Sequence, residues 1–292
     1  YIISEKYHII QINGTPQYKG IFAARLANIP CVWVLEDNHM PFIIRKITTL
    51  LAWAFVDSII VTGDRVFDYY IKGTVLEKKR SYQIHAPVDT NIFDPLKVTP
   101  MIDSNIKHKN ILTIAGISPV KGMEYFIEMA SMLADEDKEL TFYVSGTELN
   151  SQKKYSNKIK NLLIKSNLTD KNYKFTGLID NIPAFLASGK IFVCTSISEA
   201  GPMTVWEAMS MGKAIVTTNV GAVNQYIKNG VSGFIVEVGD SRALYDKVKE
   251  LLKSPEKIKL FGRNARKVAI KELDSLIAAK KYKKVYINML NK

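Results

Sequence analysis

Two glutamates, a glycine–proline pair and the start of a helix carry the most pointed chemistry in this chain. Glu199 and Glu207 flank the segment AGPMTVW, which follows an apolar run, Ile191 to Thr195, that reads as a buried strand. A strand, a short polar turn and a helix N-terminus together make an anion site, because the first helical amides have no acceptor inside the helix and the macrodipole is positive there. Pro202 at the first helical position would lose nothing, since its missing N–H would have been unpaired, and Gly201 lets a ligand come close to the backbone. Counted from Pro202, Glu207 shares a face with Thr204 and lies opposite Val205 and Met209, within reach of a ribose beside the first turn. Glu199, still in the loop, lies where the sugar beyond the phosphates would be. The chemistry expected is binding of a sugar nucleotide; taken singly, both glutamates also read as solvated surface carboxylates.

Such a site needs a parallel sheet behind it. In the first part of the chain short β-rich runs (HIIQI, PCVWVL, SIIVTG, YQIHAP) alternate with helical patterns at Tyr18 to Ala27, Pro41 to Phe55 and Phe67 to Gly73. Strands separated by helices imply βαβ crossovers and a sheet covered on both faces. Such a domain normally opens on a strand with a glycine-rich loop, and from Tyr1 none is present, so the first domain is expected to be N-terminally truncated. Thr90 to Asn110 is polar and contains prolines, and reads as an inter-domain linker. Six further runs follow (ILTIAG, LTFYVSG, YKFTG, IFVCTS, AIVTTN, GFIVEV), each before a helical pattern and several ending in glycine. Two basic helical stretches, Pro255 to Lys271 and Asp274 to Leu290, close the chain. The expected domains are 1–100, 101–270 and a closing helix over 271–292.

A chain of 292 residues that is 47% hydrophobic suits two medium cores. The formal charge of +12 suggests an anionic partner: a nucleotide, a nucleic acid or a membrane surface. Cys31 and Cys194, the only cysteines, sit in apolar runs and read as reduced core residues, which points to a cytoplasmic protein. His8, His39, His85 and His108 show no ligand spacing, so no metal is expected. No G-x-G-x-x-G opens a strand–helix unit and no P-loop is present. The basic helices match no nucleic-acid-binding module, so no nucleic acid is expected as partner. The most apolar stretch, Ile47 to Val61, is interrupted by Asp57 and too short to span a bilayer, and its helix Ile47 to Phe55 reads as a core helix, with an interfacial position as the alternative.

At Glu199-AGPMTVW-Glu207, continued by AMSMGKAIVTTNVGAV, the sequence resembles the retaining glycosyltransferases of family four, which have the two-domain GT-B fold. Four more segments resemble the same family in the same order: VDTNIFDP, ILTIAGISPVKGMEYFIEMA, NVGAVNQYIKNGVSGFIVEVGD and YKKVYINML, the last being the helix that crosses back to the first domain. The resemblance covers nearly the whole chain. It implies an α/β fold of two Rossmann-like, doubly wound parallel-sheet domains facing across a cleft. It implies a donor, a UDP- or GDP-sugar, whose sugar contacts Glu199 and whose ribose contacts Glu207. The loop from Ser198 through Ala200, Gly201, Pro202, Met203 and Thr204 would hold the diphosphate and sugar, and Lys121 the leaving phosphate. A compact cation can neutralise an oxyanion there, and a lysine at a helix start otherwise opposes the dipole.

There are departures. Gly116 stands in the donor loop where the family often has an arginine, so half of a cationic clamp is missing. Glu36 or Asp37 occupies the place of a site histidine, Gln11 and Asn13 stand where histidines are frequent, and Gln225 replaces a frequent glutamate. Asn13, Gly14, Glu36 and Asp37 are therefore the acceptor-side candidates. The expected function is transfer of a sugar from a nucleoside diphosphate sugar to a carbohydrate or lipid-linked hydroxyl, with retention and without a cofactor, by a protein peripheral to an anionic membrane. A catalytically silent GT-B binding subunit and a GT-B sugar-nucleotide epimerase remain as other readings.

Overall fold

The computed structural model describes residues 7–102 and 109–291. The chain divides into two compact units, one running through Pro87 and resuming at Ser275, the other spanning Val88–Asp274.

In the first unit β1 (Ile10–Asn13), β2 (Cys31–Leu35), β3 (Ser58–Val61) and β4 (Ser81–Gln83) form a parallel sheet in chain order. The connecting helices are α1 (Tyr18–Leu26), α2 (Phe42–Phe55) and α3 (Asp64–Tyr70). Every residue of β2 and β3 is buried, because a parallel strand is covered on both faces and alternate side chains serve each. Val32, Val34 and Ile60 pack against Ala278, Val285 and Met289 of the closing helix Ser275–Leu290. Trp33, on the opposite face of the pleat, meets Tyr18 of α1 edge-on at 5.9 Å. α2 departs from the expected core helix. Its buried residues are the small Thr48, Thr49 and Ala52, while Phe42, Ile43, Ile44, Ile47, Leu50 and Trp53 are exposed and Leu51 and Phe55 half-buried. The Thr48 hydroxyl shares a hydrogen bond of 2.9 Å with Tyr18 Oη, so small polar groups suit the narrow seam against α1.

The second unit contains β5 (Asn110–Ile114), β6 (Thr141–Ser145), β7 (Tyr173–Gly177), β8 (Ile191–Cys194), β9 (Ala214–Thr218) and β10 (Phe234–Val236). They form one parallel sheet in the order β7-β6-β5-β8-β9-β10. Its helices are α4 (Met123–Glu136), α5 (Lys153–Lys165), α6 (Ile182–Ala187), α7 (Met203–Ser210), α8 (Val223–Tyr226), α9 (Ser241–Leu252) and α10 (Pro255–Val268); the closing helix is α11. Pleating again divides the core. Ile111, Ile191, Val193 and Val216 join α4 and α9 on one face, and Leu112, Phe192 and Ile215 join α6 and α7 on the other.

The stretch expected to be an inter-domain linker is docked on the second unit where it is described. Phe93 and Val98 pack on the second unit's core, and Asp94 pairs with Arg266 at 2.9 Å. Arg266 Nη1 and Ser210 Oγ also donate to the Phe93 carbonyl, at 3.1 and 2.7 Å. The stretch's polar groups anchor it to that unit. Residues 103–108 of that stretch, with His108, lie outside the described residues.

Candidate functional site

The strand order of the second sheet locates its site. Within that unit the order is 3-2-1-4-5-6, which reverses between β5 and β8, the first and fourth of its strands. Connections leaving these two strands diverge to opposite faces and open a crevice beyond their carboxyl ends, where such sheets bind ligands. The loop after β5 carries Gly116 and Lys121, and the loop after β8 carries Ser198, Glu199, Ala200 and Gly201, so residues 78 positions apart meet at one edge.

Lys121 Nζ lies 2.5 Å from Glu199 Oε1. The same carboxylate oxygen accepts from Ser196 Oγ at 2.9 Å. Both partners are largely covered, the side chains being 31% and 17% exposed. The anion that a lysine before a helix calls for is thus supplied, in the free chain, by Glu199 itself. The loops are laced together beneath the pair: Ile197 N donates to Val120 O at 2.8 Å, and Thr195 Oγ1 to Lys121 O at 3.0 Å. Thr218 Oγ1 at the end of β9 donates to Ser196 O at 2.6 Å.

Two glycines permit this closeness. Gly122 has φ +59, and a Cβ there would meet Thr195 O at 2.2 Å. Gly221 has φ +51, and a Cβ there would meet Ala200 O at 2.6 Å and Glu199 O at 2.9 Å. The backbone of the Glu199 loop rests on Gly221. Sequence reasoning left Ser196, Thr218 and Gly221 unassigned, although Gly221 stands inside the NVGAV segment.

Helix α7 starts one residue later than expected. Pro202 is its N-cap and Met203 its first residue, and the cap makes no side-chain hydrogen bond. Proline's φ of −74 suits the helix, but its ψ of 84 does not, so the chain enters the helix only after it. A proline cap has no side-chain oxygen to offer; its carbonyl accepts from Val205 N at 2.9 Å and Trp206 N at 3.2 Å, so the amides of Met203 and Thr204 have no acceptor inside the helix. Val205 and Met209 are buried and Glu207 is half-buried, on the face expected. Burial pushes the Glu207 carboxyl up to about 7.

The acceptor-side candidates all lie in the first unit, at the carboxyl edge of its sheet. Asn13 ends β1, opposite Val34 of β2; Glu36 and Asp37 follow Leu35. The Gly14 carbonyl accepts from Trp33 Nε1 at 2.9 Å, Asn13 Oδ1 accepts from Gln11 Nε2 at 2.8 Å, and Asp37 Oδ1 accepts from Tyr70 Oη at 3.3 Å. Burial, helped by the neighbouring Asp37, raises the Glu36 carboxyl above the ordinary carboxylate range. His85, just past β4 at the same edge, was not singled out from the sequence. Burial holds its imidazole below the usual value. Among the described residues no group of three or more His, Cys, Asp and Glu is placed to hold a metal ion. Cys31 and Cys194 are buried free thiols, and no described helix is long and apolar enough to cross a membrane.

Residues 101–268 match the family model for glycosyl transferases group 1. The chain is 23% identical over 307 residues to the UDP-Gal:alpha-D-GlcNAc-diphosphoundecaprenol alpha-1,3-galactosyltransferase of Escherichia coli, an alignment covering 98% of this chain and 76% of that protein. It is 26% identical over 183 residues to the N-acetyl-alpha-D-glucosaminyl L-malate synthase of Bacillus anthracis, covering 62% of this chain. It spans 46% of the length of that synthase. Among solved structures, Anabaena HepE in complex with UDP-glucose superimposes with a TM-score of 0.82 at 20% identity, covering 96% of this chain and 78% of that one. The fold is GT-B, with two parallel-sheet α/β units.

Proposed function

Because the chain belongs to the glycosyl transferases group 1 family, we propose that it transfers a hexosyl unit, with retention, from a UDP- or GDP-sugar to a hydroxyl of a glycolipid, polysaccharide or lipid-linked glycan. The observation that carries this reading is the Lys121–Glu199 pair at the switch point, beside a helix N-terminus whose cap supplies no side-chain acceptor. A diphosphate arriving there offers its oxygens to the amides of Met203 and Thr204 and to the Lys121 ammonium. Lys121 then exchanges its carboxylate partner for the leaving phosphate. Glu199 is freed to accept hydrogen bonds from the sugar hydroxyls, and Glu207 to accept them from the ribose.

In the transfer, the bond between the anomeric carbon and the diphosphate oxygen breaks and both electrons leave with the diphosphate. The acceptor oxygen forms the new bond, and its proton passes to the leaving phosphate or to water. Lys121 and the α7 amides stabilise the charge that grows on the diphosphate, an interaction stronger in the transition state than in the ground state. Such a transfer needs no metal ion, so activity should survive EDTA. Glu36, Asp37, Asn13 and Gly14 are assigned to the acceptor. The undecaprenol-linked acceptor in the name of the Escherichia coli relative supports a lipid-linked one here.

The test is a thermal-shift screen over nucleoside diphosphates and their sugars, since a ligand bound only by the folded chain raises its melting temperature. The matching donor is then offered acceptors, and the anomeric configuration of the product is read by NMR. One nucleotide series should stabilise and the configuration should be retained. Stabilisation by no nucleoside diphosphate would defeat the donor assignment, an inverted product would defeat retention, and an isomerised donor without acceptor would establish the epimerase instead.

A further inference from the structure

Helix α2 is packed with its amphipathicity reversed. Its inward face carries Thr48, Thr49 and Ala52, and the two hydroxyls are satisfied by the carbonyls of Ile44 and Arg45, each at 2.9 Å. Its outward face carries Ile43, Ile47, Leu50 and Trp53, exposed to 71%, 48%, 58% and 54%. On a helical wheel Ile43, Ile47 and Leu50 fall within about 60° of one another, so they form one stripe. Phe42 extends the stripe at its start. At the other end Phe22 of α1, itself exposed, packs its ring 5.9 Å from Phe55. A contiguous exposed surface of large apolar side chains marks a contact surface, because scattered single residues suffice to account for ordinary exposure.

The charges around this stripe select what covers it. From Asn38 to Val56 the sequence contains no Asp or Glu. Arg45 and Lys46 flank the first turns, and the Lys46 ammonium folds over the Phe42 ring at 4.6 Å. At the far end Trp53 lines a shared hollow with Asp57, Lys78, Lys79 and Arg80. Lys79 is held there by the Trp53 carbonyl, while Lys78 and Arg80 are exposed. A second copy related by a two-fold axis would set these cations against one another. A bilayer with anionic headgroups meets them with phosphates and takes the apolar stripe among its acyl chains. Trp53, with an apolar body and one N–H, suits the boundary between the two. With 14 residues the helix is about 21 Å long, which lets it lie in the membrane plane but not span it.

We propose that α2 is an in-plane membrane anchor, inserting Ile43, Ile47, Leu50 and Trp53 into an anionic bilayer while Arg45, Lys46, Lys78 and Arg80 engage lipid phosphates. The anchor rests on the surface of the first unit alone and stands whether or not the donor assignment holds.

The experiment is sedimentation of the full chain with vesicles of mixed phosphatidylglycerol and phosphatidylcholine, and with vesicles of phosphatidylcholine alone. Tryptophan emission is followed in parallel. Trp33 and Trp206 are fully buried, so a blue shift on adding vesicles reports Trp53. Binding and blue shift are expected with the mixed vesicles and are weakened by high salt. Ile43→Ser and Leu50→Ser should each lower partitioning by roughly tenfold or more, and Lys46→Gln with Lys78→Gln should remove the preference for phosphatidylglycerol. All four side chains lie at the surface, so an unchanged melting curve confirms that the variants fold. No binding of the unaltered chain to the mixed vesicles overturns the anchor. So does equal binding to both vesicle types, or a dimer by light scattering that Leu50→Ser dissociates without any vesicle binding.

Discussion

The half-buried carboxyl of Glu207 offers the sharpest quantitative test of the donor assignment. Burial is the only cause that raises it to about 7. The sign follows directly. A carboxyl raised in the folded chain keeps its proton between the ordinary carboxylate range and pH 7, where the unfolded chain has already lost it. Its stabilising contribution is therefore complete at low pH and lost as pH rises through that window. If the ribose sits on Glu207 as proposed, its hydroxyls donate to the ionised form, so binding a nucleotide pulls the value down and expels a proton. If the bound value returns to the ordinary range, affinity follows the ionised fraction of the free protein: about half its plateau at pH 7 and about tenfold below it at pH 6.

The assay is calorimetric titration from pH 6 to 8 in pairs of buffers that differ in ionisation enthalpy. The ligand is the nucleoside diphosphate sugar, because a free terminal phosphate titrates in the same range. Glu207→Gln is the control, since it keeps the volume and removes the proton. It should flatten the profile, lower affinity at pH 8 by roughly tenfold or more through the lost charged acceptor, and raise the melting temperature of the free protein at that pH. A wild-type affinity independent of pH over this range, with no proton released, would refute the placement of the ribose on Glu207.

Two further outcomes test the neighbouring loops. Lys121→Ala should lower turnover by roughly 10²- to 10³-fold while the chain still folds, and adding Glu199→Gln should restore whatever stability is lost when Glu199 is left unpaired; near wild-type turnover in Lys121→Ala would remove that residue from the mechanism. Gly221→Ala should lower stability by about 1–3 kcal/mol and weaken nucleotide binding, because its Cβ would lie 2.6 Å from Ala200 O at φ +51. Unaltered nucleotide affinity in that variant would show that the Glu199 loop does not rest on this contact.

The sheets were readable from the sequence because their strands are short apolar runs closed by turn residues, and a parallel strand such as Cys31–Leu35 is buried along its whole length. The second unit's crossovers were readable for the same reason. The loops carrying Lys121 and Glu199 were readable only as local fragments. Nothing local says that Lys121 touches Glu199, since the contact depends on β5 and β8 lying side by side. Helix α2 shows another limit. Its periodicity reports a stripe, but not which side of the helix meets the sheet. The narrow seam against Tyr18 selected the threonine side, leaving the larger residues outside. Likewise, ψ at Pro202 decides that α7 starts one residue later, and a proline in the sequence fixes only φ.

The Lys121–Glu199 contact also determines how the site looks from a distance. Two opposite unit charges 2.5 Å apart present a dipole to the solvent, and a dipole's field fades faster than that of a bare lysine. On the proposed function, an approaching sugar nucleotide would therefore be drawn by the surplus of +12 spread over the whole chain, and would meet the lysine only after reaching the crevice. Long-range attraction and close-range discrimination would then belong to different residues. Surface lysines can change, and with them the encounter rate, without altering which anion can displace a carboxylate from Lys121.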